Sequence, residues 1–393
     1  LVSMRGKPVK SLVGTSIVDD SMAWLASPTP YIGGTRYVAP GFLVWVELGR
    51  LAGAPFDLRR MQVIGQPIHS SDRVNEPFPS AVDLAVSNAG LAVFAAAPPL
   101  RNIPLVTAEF GGRIDTLALP SASYAQVAWA PDGRKIAVNV LTFPGMELRL
   151  VDVVTRQSVL LAKSPSYLGA PHFRRDGRSI VYSEKPWTPV AVTYEVDASG
   201  VEPRKIPGQP GGTLIGAARH GDELAFQSVD LSRGIELWRP GGATRRLTTQ
   251  PHSAFVDYSP DDRWIAWSSN VSGRWEVYVA RADSAAAPRR VTDFGCVTPR
   301  WTSSGRELLC RGPTDSLIAI PISTHGVEVR AGIPRSLGRF SMRDEGDFSF
   351  DVSPDGRHIV FAPAPTARAI RVLNVITNVA DELRRQGERG QRP

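Results

Sequence analysis

The sequence predicts an all-β protein, a closed ring of small antiparallel sheets, on three observations. First, a short turn sits between two apolar strand-like runs eight times. Val127-Ala-Trp-Ala-Pro-Asp-Gly-Arg-Lys-Ile-Ala-Val138 and Phe350-Asp-Val-Ser-Pro-Asp-Gly-Arg-His-Ile-Val-Phe361 are clear copies. Second, the turn positions Gly41, Gly90, Gly133, Gly177, Gly221, Asp262, Gly305 and Gly356 follow one another at 41 to 51 residues, a period expected of a repeat architecture. Third, an aromatic ring recurs four residues before the turn position, as Tyr37, Trp129, Phe173, Tyr258 and Trp301. A bulky ring at a fixed site in each unit suits packing between neighbouring sheets. Together these predict a single β-propeller of four-stranded blades over residues 1–379. Eight blades is the preferred count, with seven or six as alternatives.

Taken in order, the chain opens with a loose strand, Pro8–Val13, which has no first or second strand of its own. Residues 16–34, with two prolines and a Gly pair near the end, read as an irregular connection. The unit around Asp262 is the plainest. Phe255–Ser259, Trp264–Ser268, Trp275–Arg281 and Arg289–Thr292 alternate or carry β-branched and aromatic residues, and Pro-Asp-Asp-Arg and Asn-Val-Ser-Gly clusters separate them. The last unit offers three strands, Phe348–Val352, His358–Ala362 and Ile370–Val375. Pro8–Val13 is expected to supply its fourth and close the ring, because closure removes exposed sheet edges. Residues 380–393 are polar and mixed in charge, read as one helical turn and a loose end.

Composition narrows the function classes. Net charge is +7, with six Lys against 39 Arg, but the Arg residues read as scattered mostly singly along turns. No dense basic patch with interleaved aromatics appears, so no nucleic-acid partner is expected. No run of 18 apolar residues is present, so no membrane insertion by this segment is expected. The opening residues lack a signal-peptide pattern, and the first residue is Leu; a fragment or processed product is inferred. Cys296 and Cys310 flank a hairpin, Thr298–Trp301 and Glu307–Arg311. About a turn at Ser303–Ser304 they would not face each other, so no disulfide is expected. No His/Cys cluster has metal spacing, and neither metal nor cofactor is expected.

Catalytic motifs are missing. Gly-x-Ser-x-Gly and His-Glu-x-x-His are absent. His69, His172, His220, His252, His325 and His358 lie apart with no partner pattern, and Gly208-Gln-Pro-Gly-Gly212 lacks the Gly-Lys-Ser/Thr ending of a phosphate cradle. The chain itself is therefore read as a non-enzyme. One constellation stands out. The residue five before each turn position lies early on the innermost strand: Arg36, Ala85, Ala128, His172, Gly216, Asp257, Arg300 and Asp351. Arg36, His172, Asp257, Arg300 and Asp351 are candidate polar residues of a channel mouth that binds a peptide or small polar ligand. The competing reading is a set of inter-blade ion pairs, since burying such charges without partners is costly.

The repeated Ser-Pro-Asp-Gly-Arg followed by Ile-Ala or Ile-Val resembles the TolB-type subclass of WD-like propeller repeats. Ser259-Pro-Asp-Asp-Arg-Trp-Ile-Ala-Trp-Ser-Ser-Asn270 with Ser272-Gly-Arg-Trp-Glu-Val-Tyr-Val279 resembles the C-terminal sensor propeller of bacterial transmembrane serine/threonine kinases. So do Gly53-Ala-Pro-Phe-Asp-Leu58, Gly65-Gln-Pro-Ile68 and Arg371-Val-Leu-Asn-Val-Ile-Thr-Asn-Val-Ala-Asp-Glu-Leu-Arg384, although Val379 stands where that family tends to have Trp. The resemblance implies a monomeric, extracytoplasmic sensor module that binds a protein or peptide. No kinase motif lies in this chain, so a kinase domain would have to precede Leu1. Open alternatives are a gating propeller of another enzyme, such as a peptidase, and an intracellular scaffold.

Overall fold

The computed structural model describes residues 32–390 except 48, 61, 75–83, 97–102, 121, 143–144, 185–190, 229–233, 251, 284–286, 343–349 and 365–372; before residue 32 it describes only short strands between Ser3 and Trp24. The chain divides into two compact units, Leu1–Leu100 with Thr366–Pro393, and Arg101–Pro365.

The second unit is a ring of six sheets. The first sheet runs Ser123–Trp129, Lys135–Leu141, Met146–Asp152, Ser158–Ser164. The second runs His172–Phe173, Ser179–Glu184, Val192–Asp197, Arg204–Lys205. The third runs Thr213–Ala217, Leu224–Gln227, Ile235–Trp238, Arg245–Thr248. The fourth runs Ser253–Tyr258, Trp264–Ser269, Glu276–Arg281, Arg289–Arg290. The fifth runs Val297–Trp301, Glu307–Arg311, Ser316–His325, with Glu328–Ala331 and Arg335–Arg339 both paired to the long third strand. The sixth is composite: Phe350–Val352 and His358–Phe361 pair with Val106–Glu109, which pairs with Ile114–Thr116.

Each gap between consecutive sheets is filled by its own apolar core. Tyr258 and Trp267 of the fourth sheet pack with Ile215 and Leu237 of the third. Trp301 and Leu308 of the fifth pack with Trp264 and Val277 of the fourth. Val360 of the sixth meets Val127 and Val138 of the first, which completes the circle. The expected role of the recurrent aromatics is therefore observed at Tyr258 and Trp301, both at most 2% exposed. Burying side chains of this size contributes about 1.5–3 kcal/mol each.

All eight turn positions join two paired strands. Six of them close this ring among themselves, whereas the expected single ring used all eight. In seven of the eight the position has a positive φ: 75°, 87°, 69°, 64°, 66° and 68° at Gly41, Gly90, Gly133, Gly177, Gly305 and Gly356, and 56° at Asp262. Glycine reaches that region without a Cβ penalty, so Asp262 calls for a compensating interaction.

The expected closure is corrected. The sheet holding Phe350–Phe361 is completed by Val106–Glu109, not by Pro8–Val13. Residues 9–11 lie outside the described residues, and the flanking strands Lys7–Pro8 and Leu12–Val13 pair with Ser3–Met4 and Ser16–Val18. Val106–Glu109 alternates with period 2 as well as Pro8–Val13 does, and it lies just before the first sheet, next to where the sixth must close. The expected strand Ile370–Val375 is also displaced: Leu373–Ile376 pairs with Ala92–Ala95 in the other unit.

That other unit has a sheet of Ile32–Val38, Phe42–Glu47, Arg50–Asp57 and Ile68–Arg73, with Gln62–Val63 off its side, and a sheet of Leu84–Val86, Ala92–Ala95 and Leu373–Ile376. Residues read as a loose tail form a 12-residue helix, Val379–Gly390. Its Val379, Ala380 and Leu383 enter a core with Val38, Phe42 and Val44. A three-residue apolar stripe is what converts a polar-looking segment into a packed helix.

The two cysteines are joined in a disulfide, Cα–Cα 5.8 Å, against expectation. The reason is a bulge. Arg300 pairs with Leu309, but Val297 pairs with Arg311, and Thr298 takes φ 56°. Without the bulge, Cys296 would lie opposite residue 313 and point away from Cys310. The one-residue shift puts it opposite Gly312, on the same face as Cys310 and diagonal to it.

Candidate functional site

Four of the five candidate residues lie in the six-sheet ring. His172, Asp257, Arg300 and Asp351 sit on the innermost strands of the second, fourth, fifth and sixth sheets. The fifth, Arg36, lies on Ile32–Val38 of the other unit, exposed, with its guanidinium on the carbonyl of Thr35 at 2.9 Å.

The innermost strands are stitched by a repeated contact. The backbone N–H of Trp301 donates to Oδ2 of Asp257 at 2.7 Å, and that of Trp129 donates to Oδ2 of Asp351 at 2.6 Å. In both, an aspartate of one sheet holds the recurrent aromatic residue of the next. Arg300, only 6% exposed, places Nε 3.5 Å from Oδ1 of Asp351 and 3.3 Å from the carbonyl of Phe350. Arg219 Nη2 lies 3.6 Å from Oδ2 of Asp257. The inter-sheet ion pairing weighed from sequence is thus present at Arg300 and Asp351.

The cluster also reaches across the axis. The second and fifth sheets are opposite in a ring of six, yet the Arg300 charge bears on His172. Burial first, then Arg300 and Arg174, push the His172 imidazole down to about 3. His172 is therefore neutral at physiological pH, not a cation. Burial pushes the Asp257 carboxyl up, against the pull of Arg219, Arg300 and the Trp301 N–H. Desolvation outweighs the attractions at Asp257.

Two members of the cluster escaped the sequence reading. Arg174 donates to the carbonyl of Gly221 at 3.0 Å and lies 3.8 Å from Glu195. Arg219 adds its contact with Asp257 and a bond to the carbonyl of Tyr258 at 3.3 Å. The available signal was an arginine at the Ser or Pro position of two turns, Arg174 and Arg219. Where a serine stands there it closes its own turn: Ser259 Oγ donates to Asp261 at 2.6 Å and accepts from the Trp264 N–H at 2.9 Å. Arg174 replaces that serine and reaches the next turn instead. Asp262 answers the same irregularity. Its carboxylate accepts from the N–H groups of Arg219, His220 and Gly221 at 2.8, 2.6 and 3.2 Å, which caps the turn that lacks Pro-Asp.

Among the described residues, no group of three or more His, Cys, Asp or Glu side chains is arranged to hold a metal ion. No helix among them is long and apolar enough to cross a membrane.

No protein-family model matches the sequence, and no curated protein matches it. Solved structures do. The chain is similar to a putative TolB from Agrobacterium tumefaciens, at 17% identity and TM-score 0.50, over 70% of this chain and 99% of that one. It is similar to TolB from Acinetobacter baumannii, at 17% identity and TM-score 0.45, over 84% and 78%. An oligogalacturonate lyase in complex with manganese gives 12% identity and TM-score 0.43, over 72% and 96%. At these identities the likeness bears on fold alone, and with the closed ring and the repeated turn it makes the fold a TolB-like, WD-like β-propeller.

Proposed function

We propose that the six-sheet ring is a non-catalytic binding module that takes a protein segment or peptide at the mouth of its axis. The observation that carries this reading is that His172, Arg174, Arg219, Asp257, Arg300 and Asp351, from five of the six sheets, gather at the innermost strands and their turns, with ion pairs linking neighbouring sheets. Such a lining offers N–H donors, carboxylate acceptors and a neutral imidazole within one mouth, the mix that orients a polar backbone. Arg219 keeps 37% of its side-chain surface exposed and is the member best placed to meet an incoming chain.

The sequence resemblance extends the proposal to the sensor domain of a receptor-type serine/threonine kinase, acting outside the cytoplasmic membrane. The disulfide supports that compartment, because buried cystines persist in oxidising surroundings. Two experiments test the reading. Peptides selected on the immobilised protein from a random displayed library are expected to bind at least about tenfold more weakly to Arg219→Ala, a loss of about 1.4 kcal/mol. Equal binding to both proteins, or no enrichment, overturns the axial assignment. The coding region upstream of Leu1 is expected to encode a kinase domain and an apolar span of about 20 residues; a start codon just before Leu1 overturns the kinase assignment.

A further inference from the structure

The outermost strands of four consecutive sheets carry the same short pattern. Arg204-Lys205 precedes Ile206, Arg245-Arg246 precedes Leu247, Arg289-Arg290 precedes Val291, and Arg335-Ser336 precedes Leu337. The aliphatic residue is the anchor. Ile206, Val291 and Leu337 are 7 to 8% exposed, and each enters a different inter-sheet core, with Leu247 packed against another. The anchors fix the register. Lys205 lies opposite Tyr194, Arg246 opposite Glu236 and Arg290 opposite Tyr278, equivalent rungs of the second, third and fourth sheets.

The seven basic residues of these segments are used in two ways. Three are paired with a carboxylate at the surface: Arg204 with Glu195 at 2.9 Å, Arg245 with Glu223 at 3.1 Å and Arg335 with Glu307 at 2.9 Å. Lys205, Arg246, Arg289 and Arg290 are exposed, and none has an ion-pair partner among the described residues. Charged outer strands also protect sheet edges from pairing with other chains. The same charged pattern is not repeated on every edge. The first sheet ends instead in Ser158-Val-Leu-Leu-Ala-Lys-Ser164, with Val159 and Leu160 exposed, and the sixth in Ile114-Asp-Thr116. The basic band is confined to one side of the ring.

We infer that this band is a docking surface for a flexible acidic segment of a protein partner. Charge complementarity supplies the attraction. Shape selects the partner: each sheet is turned about one sixth of a circle from the last, so four consecutive sheets follow a convex arc. A flat anionic bilayer meets such an arc at one or two sheets only. An unstructured chain rich in Asp and Glu can follow it from Lys205 to the fifth sheet.

The test uses the full chain and fluorescent poly-L-glutamate as the probe, read by anisotropy at low and at physiological salt. Binding is expected at low salt and is expected to weaken as salt rises. Replacing Lys205, Arg246, Arg289 and Arg290 together with Gln is expected to weaken it about thirtyfold, taking about 0.5 kcal/mol for each exposed contact. A control removes the same charge from the turns, with Arg156, Arg178, Arg306 and Arg357 changed to Gln, and is expected to bind as wild type. Arg219→Ala is also expected to bind as wild type, which separates this surface from the proposed axial site. Equal weakening by the two fourfold variants overturns the inference in favour of net charge alone. Absence of probe binding by the wild type overturns it, as does capture by phosphatidylglycerol vesicles but not by polyglutamate. All four band residues are exposed, and an unchanged melting temperature in the Gln variant verifies its fold.

Discussion

Asp351→Ala removes three interactions at once. The Trp129 N–H loses its acceptor at 2.6 Å, the Val352 N–H loses its bond to Oδ1 at 2.9 Å, and Arg300 loses its nearest carboxylate. The leftover guanidinium, its side chain 7% exposed, still meets the Phe350 carbonyl at 3.3 Å but has lost the Asp351 charge. Stranding one partner of a buried pair costs about 3–5 kcal/mol. The Asp351 side chain retains 21% of its exposure, so water can reach the vacated space and about 2–3 kcal/mol is expected from this source. The orphaned Trp129 N–H adds about 1 kcal/mol, for a total near 3–4 kcal/mol. Asp351→Asn, which keeps an acceptor for Trp129, is expected to cost about half as much. The double variant Arg300→Met, Asp351→Leu leaves no stranded ion and is expected to be less destabilised than the sum of its parts by about 1–2 kcal/mol. The assay is guanidinium unfolding followed by tryptophan fluorescence. The ring holds Trp129, Trp238, Trp264, Trp267, Trp275 and Trp301, so this signal reports mainly on the ring. A change below about 0.5 kcal/mol for Asp351→Ala, or simple additivity in the double variant, would refute the argument that the axis is held by charge pairing.

Asp262→Gly should relieve a left-handed aspartate, yet it is expected to lose about 1–2 kcal/mol, because three N–H groups lose their carboxylate; a gain in melting temperature would show that backbone strain dominates there. Cys296→Ser with Cys310→Ser opens a loop of sequence separation 14 and is expected to cost about 3 kcal/mol, measured by chemical unfolding without reductant. For His172, the folded pKa lies below the unfolded value, so the unfolded chain binds the extra proton between pH 6.5 and about 3. Stability is fully present above pH 6.5 and falls on acidification, by up to about 1.4 kcal/mol per pH unit, and His172→Gln should flatten that slope in a pH series of melting temperatures. Asp257 works in the opposite sense: its raised pKa gives stability that is present below its unfolded value and is lost as pH rises through the folded value. Asp257→Asn should therefore remove a downward drift above about pH 4.

What was legible in the sequence is what depends on local chemistry. The turns at Gly133, Gly177, Gly305 and Gly356 announce themselves because a left-handed position in a tight turn is reached most cheaply by glycine. The fourth sheet was readable strand by strand, since its Pro-Asp-Asp-Arg and Asn-Val-Ser-Gly breaks are strong. Tyr258 and Trp301 could be placed in the core by recurrence alone. The axial residues His172, Asp257, Arg300 and Asp351 followed by counting back from the turns. The misses are cases where one distant partner decides. Val106–Glu109 and Pro8–Val13 both read as plausible closing strands, and only the path of the whole ring selects the first. The disulfide depends on one left-handed threonine, Thr298, that shifts the register by a residue, and nothing in Cys296-Val-Thr-Pro299 marks that shift beforehand. Arg174 and Arg219 were passed over because an arginine in a turn reads as solvated until the neighbouring sheet is in place.

The strand exchange that closes the sixth sheet has a consequence for how the protein is made. Val106–Glu109 and its partner His358–Phe361 are separated by nearly the whole ring, and Ala92–Ala95 waits in the same way for Leu373–Ile376. During synthesis neither unit can complete its sheets until residues beyond 350 have left the ribosome, so two half-built edges stay open through most of translation. Contacts this remote in sequence form slowly, and open edges invite pairing between nascent chains. A premature stop near residue 345 would therefore not yield a protein lacking one blade; it would leave both units unfinished at once.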